Sequence, residues 1–112
     1  MIWYQDHFAG LIGFKDTDCL NLKTEIGYWL IEKMTGKGIM KNSVEVLIQY
    51  AFMAMKMNRI QIKCGVGNEK SAAVPKRLKF QFEGIERAGE KHKNHFIDLK
   101  VYSLLKEEWE IR

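Results

Sequence analysis

Proline and cysteine are scarce in this chain of 112 residues: Pro75 is the only proline, and Cys19 and Cys64 are the only cysteines. A disulfide framework needs more cysteines, and a zinc site needs a CxxC pair or a Cys/His cluster. With neither present, the expectation is two free thiols in a reducing compartment and no metal site. No window holds the roughly 18 consecutive apolar residues of a membrane-spanning helix, and Met1 to Asp6 lacks the basic start and apolar run of a signal peptide. A soluble cytoplasmic protein with no membrane partner is therefore expected. A strong excess of one charge is missing too: 18 basic against 14 acidic residues give +4 with neutral histidines. That is too little to mark a nucleic-acid-binding protein, and no exposed aromatic platform is interleaved with the basic residues. Nucleic acid is not an expected partner.

What is present suits one domain, residues 1–112, around a single core, since 46% of residues are hydrophobic and 29% charged. Met1 to Gln5 is β-prone with no start signal before it, as though the chain opens inside an element. The apolar segments Phe8–Phe14 and Thr24–Ile31 read as strands joined in an antiparallel hairpin by the polar stretch Lys15–Asn21. After the break Thr35-Gly-Lys-Gly38, residues Val44, Leu47, Ile48, Ala51 and Met55 share one face of a helix running roughly from Ile39 to Met57. The methionines of Met53-Ala-Met-Lys-Met57 fit that helix face, packing on the sheet. Ile60, Ile62, Cys64 and Val66 alternate with Gln61, Lys63 and Gly65 as a half-buried strand does. A shorter helix is expected over Ser71–Leu78, placed so that Pro75 falls near its first turn. Phe80–Lys91 and Phe96–Leu105 read as two further strands about the polar turn at His92–Asn94. The order is β-β-α-β-α-β-β, an α+β fold with a mixed sheet and no internal repeat.

The chemically informative stretch is a strand, a glycine-rich loop and a helix: Glu25–Ile31, Thr35-Gly-Lys-Gly-Ile39, then the long helix. Glycines let the backbone approach a ligand closely, and the free N–H groups of a helix's first turn form an anion site suited to phosphate. The loop is not a P-loop, which needs an earlier Gly and a following Lys-Ser/Thr. Nor is it GxGxxG, because Lys41 stands where the third Gly should be. An ordinary tight turn would look the same.

Taken with Asn68-x-x-Ser71, the loop resembles the GNAT superfamily of N-acetyltransferases, most closely its ribosomal-protein (RimJ/RimL-like) branch. The matching residues are Gly27-Tyr-Trp-Leu30, Gly36-x-Gly38-Ile-Met40, Asn68-x-x-Ser71, Arg77-Leu-x-Phe80 and Phe82-Glu-Gly84. The resemblance implies a mostly antiparallel sheet with a V-shaped splay between the strands at 24–31 and 60–66, and acetyl-coenzyme A as cofactor. It implies that Met34, Thr35, Gly36, Lys37, Gly38 and Ile39 hold the pyrophosphate with Lys33 as a basic group near it, that main-chain groups of Trp29, Leu30 and Ile31 pair with the pantetheine arm, and that Asn68 bonds the arm or the strand edge. Ser71 becomes the proton donor to coenzyme A, which it also contacts, and Glu90 the base; Cys64 matches a cysteine of the branch that faces the thioester. Plainer uses stay open: Ser71 as a helix cap, Glu90 as a solvated carboxylate, Cys64 as a core residue. Between Lys56 and Lys79 seven basic residues meet one acid, a local +6 beside −2 for the rest of the chain, which suits a polyanionic cofactor.

The sequence departs from the family's pattern in three places. Lys33 stands where Gln or Arg is common, and Lys79 replaces a glycine before Phe80, where a positive φ strains any residue but Gly or Asn. A first strand and two helices precede the corresponding region in the family, so the chain reads as N-terminally truncated. A homodimer or strand-exchanged oligomer is expected to cover the face so exposed. The implied function is transfer of acetyl from acetyl-coenzyme A to a primary amine such as the N-terminus of a ribosomal protein, the partner being an amine acceptor: a peptide N-terminus, a ribosomal protein or a small molecule. The alternative is a catalytically silent coenzyme A-binding or dimeric interaction module.

Overall fold

The computed structural model describes residues 2–4, 7–30 and 38–111. Its elements are β1 (Ile2–Tyr4), β2 (His7–Asp18), β3 (Lys23–Leu30), α1 (Ile39–Met53), β4 (Arg59–Gly65), α2 (Glu69–Arg77), β5 (Gln81–His92), β6 (His95–Leu105) and α3 (Lys106–Glu110). They build a six-stranded sheet in the order β1-β2-β3-β4-β6-β5. β3 and β4 run parallel, and every other neighbouring pair is antiparallel. The expected α+β order is present, with a short first strand in the β-prone opening segment and a short helix after β6.

Alternation along β4 buries Ile60, Ile62 and Cys64 against the helices, and α1 closes on them with Val44, Ile48, Ala51 and Phe52. Leu47 and Met55 pack at the edge of the same core, and Trp109 of α3 meets Phe52 with ring centroids 5.3 Å apart. Full burial of a side chain such as Ile60 or Phe52 stabilises by about 1.5–3 kcal/mol.

Three boundaries differ from the sequence expectation, each because of a contact distant in sequence. α1 ends at Met53 rather than Met57: Lys56 turns the chain at φ 60, the Met57 N–H returns to the Ala51 carbonyl at 2.9 Å, and Met57 plugs the core. Met53 is exposed, so of the three methionines it is the later two that pack inward. β2 continues through the polar residues to Asp18, because Lys15 pairs with Glu25 of β3 and the Thr17 and Thr24 hydroxyls bond at 2.9 Å. Asp18 then closes the turn by accepting the N–H groups of Leu20 and Asn21. α2 begins at Glu69, which places Pro75 inside the helix instead of in its first turn.

The sheet face away from the α1–α2 core carries a polar network. Glu25, 3% exposed, lies 3.2 Å from Lys15 Nζ and 4.0 Å from Lys63 Nζ, and accepts from Gln61 Nε2 at 3.2 Å. In β5 a bulge between Phe82 and Gly84, with Gly84 at φ 143, frees Glu83 from the ladder. Its carboxylate takes both Arg59 terminal nitrogens at 2.7 Å and the Ser103 hydroxyl at 2.7 Å.

Two outcomes are expected. The Arg59 bonds, helped by Ser103, hold the Glu83 carboxyl at about 2, below its ordinary 4.5. A depressed pKa adds stability above the ordinary value and loses it as pH falls toward the folded value. The Glu83→Gln variant should therefore differ most from the parent in urea midpoint near neutral pH and converge with it toward pH 2. At the end of α2, Lys79 sits at φ 63, with the Phe80 N–H bonded to the Pro75 carbonyl and the Lys79 N–H to the Lys76 carbonyl. That is a Schellman end, and Lys79→Gly should raise unfolding stability by about 1 kcal/mol, read by urea titration.

Candidate active site

Parallel pairing between β3 and β4 covers only Lys23↔Arg59, Thr24↔Ile60 and Glu25↔Gln61, although β3 runs on to Leu30 and β4 to Gly65. β2 stays paired with β3 as far as Leu30, and β6 with β4 as far as Gly65. The expected splay is therefore present. Alternate main-chain N–H and C=O groups of each strand turn away from its paired neighbour and into the gap, where an extended ligand can meet them. Trp29 and Leu30 lie on this open part of β3.

The helix that follows each splayed strand starts differently. α1 begins after Gly38, whose φ of 73 suits glycine; it has no side-chain cap and no acidic residue in its first turn. The first-turn amides from Ile39 onward are therefore donors for an anion, with the helix dipole adding to their pull. α2 is capped by Asn68, whose Oδ1 accepts the Ser71 N–H at 3.1 Å. Ser71 is thus not the cap, and it lies beside Cys64, the Tyr28 hydroxyl reaching both. Asn68, Ser71 and Cys64 come together at the end of β4. Ile31, Lys33, Met34, Thr35, Gly36 and Lys37 lie outside the described residues.

Burial raises the Cys64 thiol pKa, with the Ser71 and Tyr28 hydrogen bonds opposing that rise. Glu90 stands apart from this cluster, on β5 with β6 between it and β4; it is exposed, pairs in register with Ile97, and binds His92 through its carboxylate.

Tyr28 was part of the Gly27-Tyr-Trp-Leu30 match but had no role in the sequence reading. Its hydroxyl donates to the Ser71 carbonyl at 2.7 Å and lies 3.9 Å from Cys64 Sγ. The available signal was a phenol on the strand face that also carries Ile26, since a buried Tyr hydroxyl needs a partner. Glu25 gave a similar signal, as a charged residue inside an otherwise apolar strand.

A family profile described as the acetyltransferase (GNAT) domain matches residues 1–81. The chain belongs to the GNAT acetyltransferase family. YdaF of Bacillus subtilis (strain 168), which carries the provisional name of ribosomal N-acetyltransferase, is 45% identical to this GNAT chain over 107 residues, 96% of the chain and 58% of YdaF. The ribosomal-protein-serine acetyltransferase of Escherichia coli (strain K12) is 34% identical over 103 residues, 92% of the chain and 58% of the enzyme. Among solved structures, RimL, a ribosomal-protein α-N-acetyltransferase in complex with coenzyme A disulfide-linked to one of its cysteines, superposes with a TM-score of 0.84 at 32% identity. The match covers 93% of this chain and 59% of RimL. The chain thus spans somewhat more than half the length of these relatives.

The two thiols should separate chemically. With a thiol reagent near neutral pH, exposed Cys19 is expected to react at once and buried Cys64 far more slowly. Mass mapping of the labelled peptides checks this.

Proposed function

We propose that this GNAT domain binds acetyl-coenzyme A and takes part in acetyl transfer to a primary amine, an N-terminal amine of a ribosomal protein being the acceptor its relatives suggest. The observation that carries the reading is the open wedge between β3 and β4, lying between the uncapped start of α1 and the Asn68–Ser71 turn. These groups fit the cofactor: amides of a first helical turn that holds no acidic residue for its phosphates, and strand edges for its amide-bearing arm. Main-chain groups of Trp29, Leu30 and Ile31 would hold the pantetheine. The segment of Lys33, Met34, Thr35, Gly36, Lys37, Gly38 and Ile39 would hold the pyrophosphate. Asn68 Oδ1 is engaged with Ser71, leaving its Nδ2 to donate.

When bound, the cofactor supplies an acetyl group activated as a thioester, so no nucleophilic side chain is required. The residues of this chain orient it and handle protons. A strand amide aimed at the acetyl carbonyl, fixed in place before reaction, contributes about 3 kcal/mol of the kind an oxyanion hole supplies. Ser71 Oγ gives a proton to the departing sulfur. The family resemblance, rather than its place in this fold, assigns the base to Glu90, whose exposed carboxylate on β5 would take a proton from the incoming ammonium. Cys64, beside Ser71, is the thiol of this chain able to approach the coenzyme A sulfur.

Calorimetric titration with acetyl-coenzyme A, followed by assay of free thiol with an amine panel including a peptide bearing an N-terminal serine, tests the reading. Binding with thiol release is expected, and Gly36→Asp should abolish both by setting a carboxylate against the phosphates. No binding at millimolar ligand overturns the reading; binding without release from any amine leaves the catalytically silent coenzyme A-binding module.

A further inference from the structure

Pro75 has no main-chain N–H, so the carbonyl of Ser71, four residues earlier in α2, has no helical donor. The donor comes from another element, the Tyr28 hydroxyl of β3 at 2.7 Å, which also lies 3.9 Å from Cys64 of β4. β3, α2 and β4 therefore meet at one oxygen, in the region where the two strands no longer share a ladder. The Tyr28 ring packs against the core, and burial raises the phenol pKa well above its ordinary range, so the hydroxyl remains a donor.

We propose that Tyr28 is a positioning residue: its bond to the Ser71 carbonyl ties the first turn of α2 to the splayed end of β3 and so sets where Ser71 and Cys64 stand at the wedge. The proposal rests on the reading of Ser71 as proton donor. A ladder continued past Glu25 would close the gap, whereas one side-chain tie holds its walls together and leaves the strand edges open to a ligand. Pro75 is what makes the carbonyl available, since an amide at that position would take it within the helix.

Three variants separate the tie from the simple need of a buried carbonyl for a donor: Tyr28→Phe, Pro75→Ala, and the two combined. In the double variant the new amide at position 75 serves the Ser71 carbonyl, but nothing binds α2 to β3. Displacement of a reacting group by about 1 Å costs on the order of 100-fold, so Tyr28→Phe should lower kcat by at least about tenfold with little change in KM for acetyl-coenzyme A. The double variant should regain the thermal stability that Tyr28→Phe loses while its kcat stays low. An unchanged kcat in Tyr28→Phe, or recovered kcat in the double variant, overturns the proposal.

Two readouts need no turnover. The Ser71 carbonyl carbon resonance should move in Tyr28→Phe and stay put in Tyr50→Phe. In a Cys19→Ser background, alkylation of Cys64 should be faster in Tyr28→Phe and remain fast in the double variant. If the parent chain transfers no acetyl group, the transfer reading fails; if the resonance or the alkylation rate is unchanged, the tie itself is refuted.

Discussion

The stop in pairing after Glu25 and Gln61 is the constraint on which the site depends. Before that point β3 and β4 are joined by a parallel ladder, and the last pair is reinforced by Glu25, buried among Lys15, Lys63 and Gln61. Only Glu25 is buried here, so it is the loss of its partners together that would be costly, leaving its charge without compensation. Beyond it each strand keeps one paired edge and exposes the other. Because α1 follows one splayed strand and α2 the other, the donors at the start of α1 and the Asn68–Ser71 turn both belong to the open end. The opposition of a firm apex and an open end turns two ordinary strands into a cleft with main-chain hydrogen-bonding groups on each wall.

Two local irregularities are matched by distant groups. The β5 bulge at Gly84 takes Glu83 out of the ladder, and Arg59 and Ser103 bind the carboxylate so released. Pro75 leaves a carbonyl without a donor in α2, and Tyr28 supplies one from 43 residues earlier in the chain. At Pro75 a side chain from another element serves the main-chain carbonyl itself, whereas at the bulge the distant side chains bind the Glu83 carboxylate, in keeping with the rule that buried polar groups find partners. No buried side-chain nitrogen or oxygen among the described residues lacks a partner.

Much of the fold was legible in sequence because its signals are local. The spacing of Val44, Ile48 and Ala51 marked the buried face of α1, and the alternation around Ile60 and Ile62 marked β4; the family resemblance, which puts a glycine before Phe80, announced the positive φ found at Lys79. The sequence misjudged elements whose limits depend on remote partners. Lys15–Asp18 looked like loop until Glu25 and Thr24 stood opposite it, and Pro75 looked like a first-turn residue because the helix rule takes no account of a tyrosine that can replace a missing amide. At the site, Asn68 and Ser71 were picked out as a pair, but their order of use was not legible: Asn68 caps the helix, so the Ser71 side chain is not spent on the cap.

By itself the sequence determined the kinds and order of the elements, the apolar faces that must meet, and the motifs that place the chain among GNAT acetyltransferases. These follow from periodicity, turn chemistry and residue identity, all carried within short stretches of chain. Only the tertiary structure decided where β3 and β4 part, which residue spans the parting, and how far Glu90 stands from Ser71 across the sheet. Those are matters of strand register and side-chain reach between segments distant in sequence, and no local pattern encodes them.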